Sequence, residues 1–152
     1  MSYKKQFFSA DQSLINIFKS ISMPFARISL FVVFFWFGIL KVIGASPANP
    51  LVAQLLEQTI PFITFSQFII LFGLFEMLIG ILFLFPKTVR VVMPLLGLHM
   101  ITTIVPLILL TSITWQSPLI PTLEGQYIIK NIVLIALACV IAANVTPLQR
   151  AK

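Results

Sequence analysis

Residues 66–85 read SQFIILFGLFEMLIGILFLF, an apolar run with one ionisable side chain, Glu76, near its middle. A helix rises ~1.5 Å per residue, so a run of about 20 residues spans the ~30 Å hydrocarbon layer of a bilayer. A carboxyl at that depth adds roughly 3 kcal/mol to insertion if charged, so a polar partner or a function must explain it. This stretch points both to the solvent the chain is built for and to the place where its chemistry is to be sought.

Outward from it, three further apolar runs are long enough to cross: about 25–44, 91–113 and 127–145. Charged residues make up 9% of the chain, hydrophobic residues 59%, and phenylalanine occurs fifteen times. An ordinary soluble domain carries roughly 25% charged residues, so an aqueous fold is not expected. The expected architecture is all-α: a polytopic membrane four-helix bundle forming one domain over 1–152, with no internal repeat or second domain.

Net charge +6 could suggest nucleic acid, but the basic residues stand singly at the ends of apolar runs, a topology pattern rather than a phosphate-binding patch. Lys4, Lys5, Lys19, Arg27, Lys87, Arg90, Arg150 and Lys152 fall in the amino-terminal segment, the second connection and the carboxy-terminal tail. The first and third connections hold no Lys or Arg. The positive-inside rule then places both termini in the cytoplasm, and four crossings independently return the chain to its starting side.

Residues 1–23 are polar and amphipathic, so no cleaved signal peptide is expected. Asp11 is a candidate N-cap for a short helix on which Leu14, Ile15, Phe18 and Ile21 form an apolar stripe. That helix should lie along the lipid surface, or dock a partner, and end where Pro24 redirects the chain into the first crossing. Asn49-Pro50 should open a second short helix, with Leu51, Leu55 and Leu56 on one stripe until Pro61, packed on the bilayer or covering the bundle mouth. The second connection, 86–90, is short enough to set spans two and three side by side and antiparallel. In span three, Pro94 falls in the first turn, whereas Pro106 frees the carbonyl of Thr102 and should kink the helix there. The third connection, 115–125, should be an ordered cap with Trp115 at headgroup level. The single cysteine, Cys139, excludes an intrachain disulfide and reads as a small core residue.

Glu76 and His99 each lie about nine residues inside their spans, ~13 Å deep, and can face one another. Gly73, Glu76 and Gly80 share an arc of span two; together with Gly38 of span one, these glycines allow close packing of helices or approach of a ligand. Leu95, His99, Thr102, Thr103 and Pro106 share a face of span three. Lys41 and Lys130, the latter beside Asn131, sit near the outer boundary with Glu57 and Glu124 close in sequence. Either lysine can snorkel to the surface, or both can point inward and form an electropositive vestibule leading to Glu76. The Glu76 and His99 pair is then either a buried packing device or a proton-relay or ligand-binding pair. One histidine disfavours a bis-histidine haem, zinc lacks ligands, and no nucleophile elbow is present.

Trp36-Phe37-Gly38-Ile39-Leu40-Lys41, Gly73-Leu74-Phe75-Glu76 through Ile79-Gly80, Gly97 with Thr102-Thr103, and Gly125 through Lys130-Asn131 resemble the DoxX-like family of small four-helix membrane proteins, particularly its YkgB-like inner-membrane branch. The resemblance covers about residues 27–143. It implies a four-helix bundle and matches Lys41, Glu76 and Lys130 to the family's recurrent membrane charges. It implies links to quinone-coupled oxidation, oxidative-stress complexes or resistance to reactive chlorine. His99 is not carried over from the family, and the extracytoplasmic connections are shorter than in larger YkgB-like members.

Three functional expectations follow. The first is an accessory membrane protein, without a catalytic centre of its own, that binds a small polar or amphipathic ligand or a partner protein through Lys41, Glu76, His99, Thr102, Thr103, Lys130 and Asn131. The second is a membrane subunit of a quinone-coupled oxidoreductase whose redox centres reside on a partner. The third is a small proton-coupled transporter or channel, for which four spans require a homo-oligomer.

Overall fold

The structure, a computed structural model, describes residues 2–147, excepting the side chains of residues 2–7, 9 and 10. The expected basic tail, Arg150 and Lys152, lies outside the described residues, as do the side chains of Lys4 and Lys5. Helix α1 (Ser2–Val42) leads to a short helix α2 (Asn49–Thr59) and then to α3 (Phe65–Leu84). A 3-10 turn (Pro86–Thr88) opens α4 (Val89–Ile104), followed by the single turns α5 (Pro106–Leu109) and α6 (Thr111–Thr114). Strands β1 (Trp115–Ser117) and β2 (Ile120–Pro121) pair antiparallel, and α7 (Leu123–Ile129) and α8 (Asn131–Ala143) complete the described chain.

Four helical stretches are long and apolar enough to cross a bilayer: 11–42, 65–84, 86–109 and 123–143. Their outer faces carry Val32, Trp36, Leu71, Leu74, Leu98, Ile101, Ile132 and Val133, all exposed. A soluble monomer rarely exposes so continuous an apolar surface. Inside, Leu30 and Phe34 of α1, Ile79 and Phe83 of α3, Val92, Leu96 and Met100 of α4, and Ala138 and Ile141 of α8 form the buried core. Two arginines tie the helices at one end: Arg27 Nη1 donates to Phe83 O at 3.1 Å, and the Arg90 guanidinium donates to Thr146 O. The middle of α1, the end of α3, the start of α4 and the end of α8 therefore share one level.

Helix α3 packs most closely on α1, and the reason is glycine. A Cβ at Gly38 would stand 2.6 Å from Gly73 O, and one at Gly73 would stand 2.7 Å from Gly38 O, so the two backbones touch. At Gly80 a Cβ would lie 2.9 Å from Phe35 N. All three expected close-packing glycines lie on this one seam. Spans two and three also neighbour one another, across the 3-10 turn, but with less intimate packing.

Several boundaries differ from those expected. No separate amino-terminal helix begins at Asp11: α1 is continuous for 41 residues and contains both Asp11 and Pro24. Proline's φ suits a right-handed helix and its missing N–H removes one bond, to Ser20 O, at an exposed position where water can take that carbonyl. The helix ends in a Schellman motif: Gly44 adopts φ +76°, its N–H bonds Lys41 O at 3.1 Å, and Ala45 N–H bonds Leu40 O at 2.8 Å. Ala48, not Asn49, caps α2, and the Asn49 amide instead donates to Gly44 O at 3.2 Å. Helix α2 packs against α3 and α5 with Leu56 buried.

Val105, between α4 and α5, keeps helical dihedrals (φ −50°, ψ −39°) and donates from its N–H to Ile101 O at 3.2 Å, so the third crossing runs on through Pro106 and first leaves helical geometry at Leu110 (φ −112°, ψ 49°), before α6. Pro94 lies in the second turn of α4, because that helix already starts at Val89. The fourth crossing starts earlier than expected, at Leu123, where the Thr122 side chain accepts from Gly125 N–H, and runs on through Lys130, which keeps helical dihedrals (φ −61°, ψ −17°), into α8. The 115–125 connection contains a β-hairpin not expected from the sequence. Trp115 anchors it by donating from Nε1 to Leu107 O at 2.9 Å, and Thr122 Oγ1 donates to Ile113 O at 2.6 Å.

Candidate functional site

Three ionisable side chains from three helices meet in the half of the bundle opposite the two arginine ties. Lys41 Nζ donates to Glu76 Oε2 at 2.6 Å, and His99 Nε2 stands 3.4 Å from Glu76 Oε1. All three residues are buried, at 6%, 5% and 4% relative exposure. The glycine seam explains the lysine. With Gly38 and Gly73 in backbone contact, Lys41 follows on the next turn of α1, its Cβ 3.0 Å from where a Gly73 Cβ would be, and its chain turns onto Glu76.

Phenylalanines wall the cluster. The His99 ring lies 5.2 Å from Phe72, 5.4 Å from Phe34 and 6.2 Å from Phe75, centroid to centroid. Lys41 Nζ sits 5.6 Å from the Phe72 centroid, so the ammonium has a carboxylate on one side and a ring face on another. Lys41 and Glu76 neutralise one another, which suits a dry interior only because the pair is close and hydrogen-bonded. Nε2 of His99 is the ring nitrogen that faces the carboxylate, at 3.4 Å, so this geometry favours the neutral tautomer with its proton on Nε2. That leaves Nδ1 as a lone-pair acceptor, and this buried atom has no hydrogen-bond partner among the described residues. An unmatched buried acceptor costs about 1–3 kcal/mol.

The other expected site residues stand apart. Thr102 Oγ1 and Thr103 Oγ1 both donate to His99 O, at 2.7 and 2.8 Å, so their hydroxyls are used within α4, in its last turn. Lys130 is exposed, with Nζ 5.2 Å from the Tyr127 ring centroid, and Asn131 is half-buried beside it. Glu57 and Glu124 are exposed. The two-lysine vestibule is therefore not formed: Lys41 turns inward and Lys130 outward. Cys139, expected in the core, is exposed on α8.

Sequence reasoning missed the phenyl walls, although Phe72 and Phe75 stand four and one residues before Glu76 and Phe34 stands two turns before Lys41 on the same face. Among the described residues no group of three His, Cys, Asp or Glu side chains is placed to hold a metal. Comparison of the chain with protein-family models, curated proteins and solved structures finds no match.

Proposed function

We propose that this chain is a four-span protein of the bacterial inner membrane, both termini cytoplasmic, whose Lys41, Glu76 and His99 cluster binds a small polar or amphipathic ligand. The unpartnered Nδ1 of His99 carries the reading. A packing device has no use for an imidazole whose second nitrogen is left unmatched, whereas a ligand hydroxyl donating to Nδ1 would satisfy it and lie against phenyl rings. The accessory role, and any link to oxidative stress, rests only on the resemblance of sequence stretches to the DoxX-like family, with Lys41 and Glu76 as the matching charges in the cluster. Lys130 is left out of the site.

A second reading is favoured by the imidazole's two ends. With Nε2 at a carboxylate and Nδ1 open, a proton taken up at Nδ1 can be matched by one released from Nε2 to Glu76 Oε1, the tautomer reversing in the process. A membrane subunit of a quinone-coupled complex would use such a relay, with redox centres on its partner.

Native mass spectrometry of the full chain, extracted in mild detergent and titrated with a short-chain quinol, tests the site. Wild type and Lys130→Ala should carry the adduct, and His99→Phe, which keeps ring volume but removes Nδ1, should lose it while retaining its circular dichroism. Equal adduct in wild type and His99→Phe, or none in either, would overturn the ligand reading.

A further inference from the structure

A groove of about 370 Å³ lies at the arginine-tied end, lined by Met23, Pro24, Arg27, Ile28, Leu84 and Pro86. It is far from the cluster: Arg27 and Lys41 are fourteen residues apart on one helix, ~21 Å at 1.5 Å per residue. Its walls are apolar, with Ile28 and Leu84 exposed. Pro24 and Pro86 have no backbone N–H, so Arg27 is the one charged donor among the lining residues. A guanidinium carries five N–H donors, and the structure uses Nη1 on Phe83 O, in the last turn of α3. Among the described residues the other Arg27 N–H groups make no hydrogen bond.

The level of this groove matters. Helix α3 runs twenty residues and ends at Leu84, so the residues beside Arg27 stand where an apolar crossing gives way to headgroups. Lys87 follows Pro86 directly, and Lys19 lies two turns before Arg27. A basic fork above exposed aliphatic walls matches a molecule with an anionic phosphodiester at one end and hydrocarbon at the other.

We infer that this groove binds one anionic phospholipid, its phosphate on the free Arg27 N–H groups and its acyl chain along Ile28 and Leu84. The inference rests on the membrane reading above but not on the ligand proposed for the buried cluster. The competing account has Arg27 only capping the α3 carboxy terminus, its other donors hydrated.

Delipidated full-length protein in neutral detergent, titrated by native mass spectrometry with phosphatidylglycerol, phosphatidylcholine or inorganic phosphate, separates the two. Phosphatidylglycerol should bind about fivefold to tenfold more tightly than phosphatidylcholine. Arg27→Gln should bring the two lipids to within about twofold, while Arg90→Gln, at the other tie, should keep the preference. Leu84→Trp fills the groove without touching the Arg27 to Phe83 bond and should weaken both lipids. Equal affinity for the two lipids in wild type, an undiminished preference in Arg27→Gln, or displacement of phosphatidylglycerol by millimolar phosphate would overturn the lipid site. A chain recovered without detergent from the soluble fraction would instead overturn the membrane reading.

Discussion

The Lys41 and Glu76 pair makes a residue-scale prediction about how charge is tolerated in the bundle. Each side chain is buried only because the other is 2.6 Å away, so removing one strands its partner in a low-dielectric interior. Lys41→Met and Glu76→Gln should each destabilise by roughly 3 kcal/mol, while the double variant, which retains an amide oxygen for His99, should recover most of the loss. Thermal unfolding in detergent, followed by circular dichroism, reads the cycle; additive losses would mean the two residues do not stabilise one another. The meeting of Glu76 with His99 was legible because helical periodicity and depth are both written in the sequence. Which lysine joins them was not. Lys41 and Lys130 both stand near the ends of apolar runs, and a four-carbon stem can turn either way. The deciding facts are the Gly38 and Gly73 contact, which carries Lys41 onto Glu76, and Tyr127, whose ring receives Lys130.

At the scale of the element, the seam between α1 and α3 predicts opposite fates for two glycines. Gly38→Ala places a methyl 2.6 Å from both Gly73 O and Met77 Cγ, so the helices must separate at a cost of about 1–3 kcal/mol. Gly97→Ala meets nothing within 4 Å and should gain up to about 1 kcal/mol from helix propensity. The same melting assay ranks them, and a Gly38→Ala protein as stable as wild type would deny the backbone contact. Where helices lie followed from hydropathy, but where they end did not. Proline reads as a stop signal, yet Pro24 sits inside α1, at an exposed position that tolerates one missing hydrogen bond. Pro106 likewise lies within span three: Val105 before it keeps helical dihedrals, and Thr102 and Thr103 have drawn their hydroxyls onto His99 O. The β-hairpin was illegible because three- and two-residue strands carry no periodicity. It is held by tertiary bonds from Trp115 and Thr122 instead.

For the whole molecule, the two ends of the bundle differ in charge, and that difference predicts its orientation. Among the described side chains, Lys19, Arg27, Lys87 and Arg90 cluster toward the end tied by Arg27 to Phe83 and Arg90 to Thr146. Lys41 is paired with Glu76 inside, so among the described residues only Lys130 remains as an exposed cation on the hairpin side. Because translocation disfavours the more basic end, that end is predicted to face the cytoplasm and the hairpin the outside. Cysteine labelling reads this directly. Cys139 is exposed and must first become serine; Ser117→Cys and Thr146→Cys then report the two ends without removing a charge. In intact bacterial cells a membrane-impermeant maleimide should modify Ser117→Cys, and should reach Thr146→Cys only after lysis. The reverse pattern would invert the molecule and put the Arg27 groove in the outer leaflet. Labelling of both sites in intact cells would break the four-crossing topology, because an even number of crossings from a cytoplasmic start cannot put the α8 end outside.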